Sequence, residues 1–188
     1  MSKRIFTALP LPAPISQSLE QLRISLPGAR WIESTCMHLT LRFIGEVDGA
    51  LYQRILEGLK AVQFKTFPLA VEGVGHFPPR GEPKVLYAGI TPDNALENLK
   101  AKIDQILSNC GIGPDHRKYH PHITLARLKD AREERVADWL SSNSLFQLPC
   151  FEVESFELIS SQLTHSGAIY RSECLYLANA DLKMVDSG

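Results

Sequence analysis

The sequence predicts an α+β chain in which two similar halves face each other across a central cleft, and three observations carry that prediction. Apolar residues switch between the two-residue period of strands and the three-to-four-residue period of helices along most of the 188 residues. The tetrapeptide His38-Leu39-Thr40-Leu41 returns 84 positions later as His122-Ile123-Thr124-Leu125. Around each copy the order is strand, helix, His-x-Thr strand, helix, strand, and the same shift lays Phe67 on Phe151. Two units are too few for a solenoid, which needs about three or more repeats to bury a continuous core. The expected architecture is a bilobal pseudo-twofold pair, with antiparallel-type sheets lining a central cleft and helices on the outer faces. It occupies a single domain, 1–188, with approximate repeat halves 1–83 and 84–180 and a frayed tail at 181–188.

Each element has its own local reason. Residues 5–9 form an apolar strand that ends at Pro10, Pro12 and Pro14. Ile15, Leu19, Leu22 and Leu26 lie at the spacing of one helix face, closed by Pro27-Gly28. Trp31-Ile32 precedes the first motif strand, 38–44, which Gly45 is expected to end. Leu51, Ile55, Leu59 and Val62 mark a second helix with Asp48 as N-cap. Residues 67–74 read as a strand, 75–83 as a Pro- and Gly-rich linker or site loop, and 85–90 as the next strand. Thr91-Pro92 is expected to cap and open a third helix, whose face carries Leu96, Leu99, Ile103, Ile106 and Cys110 before Gly111. The second motif lies within 119–128. Asp130 with Glu133 has capping-box spacing before a helix bearing Val136, Trp139 and Leu140, and 151–160 and 168–178 are closing strands.

Composition narrows the functional classes. A net charge of −1 gives no global basic field for long nucleic acid, so any nucleic-acid partner is expected to be gripped locally. Cys36, Cys110, Cys150 and Cys174 show no Cys-x-x-Cys pair and read as small buried residues of a reducing cytoplasm. Prolines interrupt the apolar run that follows Lys3-Arg4, which argues against a signal peptide, and no stretch reaches the roughly 18 apolar residues of a membrane span. The expectation is a cytoplasmic monomer that needs no membrane, metal or cofactor.

In each motif strand the His and Thr share one face while the apolar residues between them point into a core. Imidazole titrates near pH 6.5, so two histidines facing one ligand can act as acid and base. One His-x-Thr carries little information, because strand histidines are commonly structural; two copies placed equivalently in a repeat carry much more.

The segments His38-Leu39-Thr40-Leu41-Arg42-Phe43-Ile44-Gly45-Glu46 and Pro121-His122-Ile123-Thr124-Leu125-Ala126-Arg127 resemble the two signatures of the 2H phosphoesterase superfamily. They are most similar to its RNA 2′,3′-cyclic phosphodiesterase family, also called 2′-5′ RNA ligases or LigT-like proteins. The likeness spans nearly the whole chain, including Arg4-Ile5-Phe6 and Phe77-Pro78. The resemblance implies metal-independent hydrolysis of RNA 2′,3′-cyclic phosphate ends, tRNA fragments among them, to 2′-phosphates. By motif, His122 would be the proton acceptor that activates water and His38 the proton donor to the leaving 3′-oxygen. The hydroxyls of Thr40 and Thr124 would donate to the charged phosphoryl oxygens. With a ribose hydroxyl in place of water, the same site would perform 2′-5′ ligation.

Phe43 and Arg127 both stand five residues after their motif histidine and are candidates for contacting the nucleotide. An odd offset would put them on the far face, so a bulge must turn them back, and Phe43 otherwise belongs to the core. His76 and Arg80, with Phe77, could reach substrate from the central loop. His120 shares a strand face with His122 and, beside His116, invites a zinc reading, but no further ligand set of recognisable spacing appears. It reads better as a neighbour that lowers the pKa of His122. Two other functions fit the same residues: a non-catalytic nucleotide-binding module, and a related 2H enzyme acting on a small cyclic nucleotide or ADP-ribose cyclic phosphate.

Overall fold

A computed structural model describes residues 2–164 and 167–179, and the tail 181–188 lies outside the described residues. The elements run β1 (Lys3–Pro10), α1 (Ala13–Glu20), β2 (Ala29–Trp31), β3 (His38–Val47), α2 (Gly49–Gly58), β4 (Phe67–Leu69), β5 (Val71–Phe77) and β6 (Val85–Ile90). They continue with α3 (Asn94–Asn109), β7 (His122–Leu128), α4 (Glu133–Ser142), β8 (Phe151–Val153), β9 (Ser155–Thr164) and β10 (Gly167–Leu177). The main sheet is antiparallel with order β10-β9-β1-β3-β7-β6-β5, β2 lies beside β7, and β4 pairs with β8 separately.

The repeat is written into this register. The two motif strands meet through Leu39 and Ile123, and β4 meets β8 with Pro68 opposite Glu152. Both pairs join residues 84 positions apart. An antiparallel residue can face its own repeat counterpart only on a twofold axis, so these two crossings mark the pseudo-axis. Each half of the sheet also takes its outer strand from the other half of the chain: β9 flanks β1, whereas β5 flanks β6.

The sheet buries one face against the helices. Leu39, Leu41, Leu86, Ala88, Ile123 and Leu125 join Ile15 and Leu19 of α1, Ile55 of α2, Leu99 and Ile103 of α3, and Val136 and Trp139 of α4 in one core. Burying each Leu or Ile contributes about 1.5–3 kcal/mol, which pins the register of the motif strands and turns their histidines to the other face. There Phe6, Ala8 and Ile159 form a smaller cluster with Tyr170. No helix among the described residues is long and apolar enough to cross a membrane.

Several boundaries differ from the sequence reading. Helix α1 stops at Glu20, and Leu22 and Leu26 are buried beyond it, because Leu22 turns with an i−3 bond to Leu19 while its carbonyl accepts the Trp139 indole N–H at 2.9 Å. Gly45 bends β3 without ending it: at φ +96° it lies next to a bulge that leaves Ile44 unpaired, and the strand continues to Val47. The expected 67–74 strand is two strands in different sheets, and residues 75–77 of the proposed loop extend β5. Asp48 caps α2 as expected, accepting from Leu51 N at 2.8 Å. Thr91 does not cap α3; its hydroxyl donates to Glu72, and Asp93 accepts from Ala95 and Leu96 N–H instead. Asp130 adopts φ 55° and leaves the N-cap of α4 to Arg132. Cys150, expected to be buried, is exposed before β8.

Candidate active site

The site lies on the face opposite the helices, where β3 and β7 cross at Leu39 and Ile123. Alternation puts His38, Thr40, His122 and Thr124 on that face. Thr40 pairs with Ala8 and Arg42 with Thr7, so Leu41 is an extra residue; Tyr87 pairs with Thr124 and Leu86 with Ala126, so Leu125 is its counterpart. Both strands therefore carry the bulge that the odd offset required, at equivalent positions. Arg42 and Ala126 turn inward, and Phe43 and Arg127 return to the site face.

Each motif histidine is held in the same way. His38 Nδ1 lies 2.9 Å from the Cys36 carbonyl and His122 Nδ1 lies 2.7 Å from the His120 carbonyl. A carbonyl only accepts, so Nδ1 carries the proton in both rings and Nε2 is left for a ligand. Aromatic rings fix the orientation. His38 packs on Phe6 at 4.9 Å and edge-on to Tyr170 at 5.1 Å; His122 packs edge-on to Phe77 at 4.8 Å and Tyr87 at 5.5 Å. Tyr87 has room because residue 75 is glycine, where a Cβ would fall 2.4 Å from its ring.

Burial lowers the pKa of both imidazoles by penalising the charged form, partly offset by the carbonyl bonds. The charge of His122 lowers His38 further, as does Arg127, and His120 lowers His122. His38 therefore senses the charge of His122.

The cleft encloses about 520 Å³. His38, Thr40, Phe43, Thr124 and Arg127 line it with Arg4, Phe6, Arg30 and Tyr170. Among its described lining residues there are three arginines and no carboxylate, in a chain of net charge −1. The Arg4 guanidinium lies over the Phe43 ring at 4.8 Å, and its buried Nε has no hydrogen-bond partner. Phe43 stacks on Phe6 at 6.1 Å and is 38% exposed, so it belongs to the cleft and not to the core.

Two side chains brace the motifs from behind. Tyr119, just before the second motif, donates its hydroxyl to Thr40 O at 3.1 Å. Arg42, buried by the Leu41 bulge, donates to Gly113 O and lies 3.7 Å from both Asp104 and Asp115. Arg117 holds the Asp115 carboxyl well below the usual carboxylate range.

The structure brings together His38, Thr40, Thr124, Phe43 and Arg127, with His122 beside Thr124 on the same strand face. His120 is exposed next to His122, in ring contact with Phe77 and Tyr87. His76, on β5, pairs with the core residue Leu86 of β6, and alternation places it on the face opposite Phe77. Arg80 stands exposed in the β5–β6 turn. Arg4, Arg30 and Tyr170 were missed as cleft residues. Arg4 and Phe6 alternate on β1 and could have been found by asking which residues share a face with His38. Arg30 and Tyr170 arrive through strand pairings that no local motif announces.

The chain is similar to known proteins in both sequence and fold. A sequence profile of the 2′-5′ RNA ligase superfamily matches residues 11–164. The chain is 34% identical over 143 residues to an RNA 2′,3′-cyclic phosphodiesterase of Aeropyrum pernix, covering 75% of this chain and 81% of that protein. It is 32% identical to another of that name from Archaeoglobus fulgidus, covering 89% and 96% of the two chains. Its fold is similar to that of E. coli LigT complexed with 3′-AMP, with a TM-score of 0.78 at 22% identity over 96% of this chain and 100% of that one.

Proposed function

The chain belongs to the 2′-5′ RNA ligase superfamily, and from that premise we propose that it hydrolyses RNA 2′,3′-cyclic phosphate ends to 2′-phosphates, with His122 as general base and His38 as general acid. The observation that carries the proposal is the pair of Nδ1-tethered imidazoles on one face of the sheet, His38 lining a cleft with three arginines and His122 two residues before the cleft-lining Thr124: each keeps Nε2 for the substrate, and the guanidiniums favour an anion beside them.

His122 Nε2 takes a proton from water as its oxygen attacks phosphorus. The bond from phosphorus to the 3′-oxygen breaks, and His38 Nε2 delivers its proton to that oxygen, leaving a 2′-phosphate and a 3′-hydroxyl. Exchange with solvent then returns a proton to His38 and removes one from His122. The hydroxyls of Thr40 and Thr124 donate to the non-bridging oxygens as charge builds on them. Burial lowers the pKa of both rings in the free protein; a bound phosphodiester anion raises it, restoring the protonated His38 that the mechanism needs. A 5′-hydroxyl of a second RNA in place of water would give 2′-5′ ligation through the same transfers.

The test is an oligoribonucleotide ending in a 2′,3′-cyclic phosphate, incubated with the protein in excess EDTA, with the product phosphate located. A 2′-phosphate is expected. A 3′-phosphate would overturn the regiochemistry, and turnover abolished by EDTA would overturn the metal-independent step.

A further inference from the structure

Among the described residues the two motif strands meet through a single pair, Leu39 with Ile123. Otherwise β3 pairs with β1, and β7 with β6 and β2, so no continuous ladder sets the spacing of the two imidazoles. Each ring depends instead on the backbone just before its strand, whose carbonyl holds Nδ1. These two supports are built differently. Cys36 closes a turn of 3₁₀ helix, Ser34–Cys36, in which Cys36 N–H donates to Glu33 O at 2.8 Å and Met37 N–H to Ser34 O at 3.2 Å. His120 lies near the end of residues 112–121, which form no helix or strand.

Contacts with β3 hold that irregular segment. Arg42 donates to Gly113 O and lies 3.7 Å from Asp115. Tyr119 donates its hydroxyl to Thr40 O at 3.1 Å, its ring packs against the core, and the Lys100 ammonium lies 5.0 Å from the ring centre. Burial and the nearby Asp104 carboxylate push the Tyr119 pKa up, so the hydroxyl keeps its proton and stays a donor. Tyr119 precedes His120, whose carbonyl holds His122, and Thr40 follows His38 by two residues. The bond therefore joins the support of one imidazole to the strand of the other. The repeat does not duplicate it, for 84 positions before Tyr119 stands the exposed Thr35.

We infer that Tyr119 is a positioning residue for the general base: its hydroxyl anchors the His120 carbonyl, and through it the His122 ring, to the strand that carries His38. This rests on the hydrolytic reading of the same site for the role of His122, though not for the orientation of its ring. Without the hydroxyl, the ring is freer to leave the His120 carbonyl and take the Nε2–H tautomer, in which Nε2 no longer accepts a proton.

The experiment compares Tyr119→Phe with Tyr176→Phe, which removes a hydroxyl bond of the same kind, to Leu56 O at 3.0 Å, between β10 and α2. Imidazole nitrogen NMR shifts, recorded at about pH 8 where both rings are neutral, report the share of the Nδ1–H form. Tyr119→Phe is expected to lower that share in His122 and to leave His38 unchanged. On an oligoribonucleotide ending in a 2′,3′-cyclic phosphate its kcat should fall by about three- to tenfold, the scale of one hydrogen bond, with KM little changed, because the base acts only in the transition state. Tyr176→Phe should move neither readout, even where it lowers the melting temperature as much. An unchanged His122 signal in Tyr119→Phe, equal changes in both histidines, or the same changes in Tyr176→Phe would overturn the anchor, and full kcat with a loosened His122 would overturn its positioning role. If the intact protein does not turn the substrate over, the hydrolytic reading fails, and the nitrogen shifts still decide the anchor.

Discussion

At one end of the cleft Phe43 faces Phe6 across the sheet; at the other, the equivalent Arg127 faces Val85 on one side and Arg30 on the other. Between these unlike ends the parts are duplicated closely. Each motif supplies a histidine bound through Nδ1 to the carbonyl two residues earlier, a threonine on the same face, and a bulge one residue later. The comparison separates two demands on one fold. Proton transfer needs matched groups on opposite walls, and a pseudo-twofold provides them. A nucleotide has an aromatic base at one side of its ribose phosphate and an anionic backbone at the other, so the ends of the cleft have no reason to match.

The sharpest way to break the duplicated part is to remove either imidazole. His38→Ala and His122→Ala should each lower kcat by about 10²- to 10⁴-fold with the folded state retained in thermal melts. The double variant should lose far less than the product of the two, because the residues act as a unit. Wild-type turnover in either single variant would end the acid–base account.

A second comparison lies just behind the site, where the halves are not alike: Arg42 is buried in a polar cluster, and its repeat counterpart is the small, fully buried Ala126. Arg42→Met should destabilise the fold by about 2–3 kcal/mol, somewhat under the usual cost of breaking a buried pair, since Lys100 and Arg117 still neutralise Asp104 and Asp115. Urea unfolding would measure it, and an unchanged midpoint would mean that the cluster contributes nothing.

The threonines sharpen the symmetry. Thr40→Val and Thr124→Val should each cost about 1.5–3 kcal/mol of transition-state stabilisation, read as similar losses in kcat. A large loss in one with none in the other would show that the phosphoryl group leans on a single wall.

The smallest expected effect is on pH. His122 must be neutral, so activity falls as pH drops through its pKa; His38 must be protonated, so activity falls as pH rises through its own. Burial lowers both, which places the kcat/KM optimum of the free protein below about pH 6.5. The bound phosphate anion raises both, so the kcat profile should lie to the alkaline side of the kcat/KM profile. Coinciding profiles would contradict that shift.

Much of this was legible in the sequence because the decisive signals are local or repeated. The period of two fixed which face His38, Thr40, His122 and Thr124 share, the 84-residue spacing paired the halves, and the odd offset of Phe43 and Arg127 called for a bulge that both strands contain. What escaped depends on pairings between distant strands. Arg30 reaches the cleft because the three-residue β2 docks on β7, and Tyr170 because β10 pairs with β9. His76 looked available because a Gly- and Pro-rich stretch reads as loop, yet its first residues extend β5 and take a fixed face. Caps misled for a similar reason: Thr91 and Asp130 have capping chemistry, but Glu72 engages the first and the second sits at positive φ.

The division of labour between the two histidines is the central claim, and a substrate with sulfur in place of the bridging 3′-oxygen tests it most directly. A thiolate leaves without needing a proton, so this substrate should restore much of the activity of His38→Ala while His122→Ala remains as impaired as on the oxygen substrate. Recovery of His122→Ala instead, or equal loss in both variants on both substrates, would contradict the assignment of acid and base.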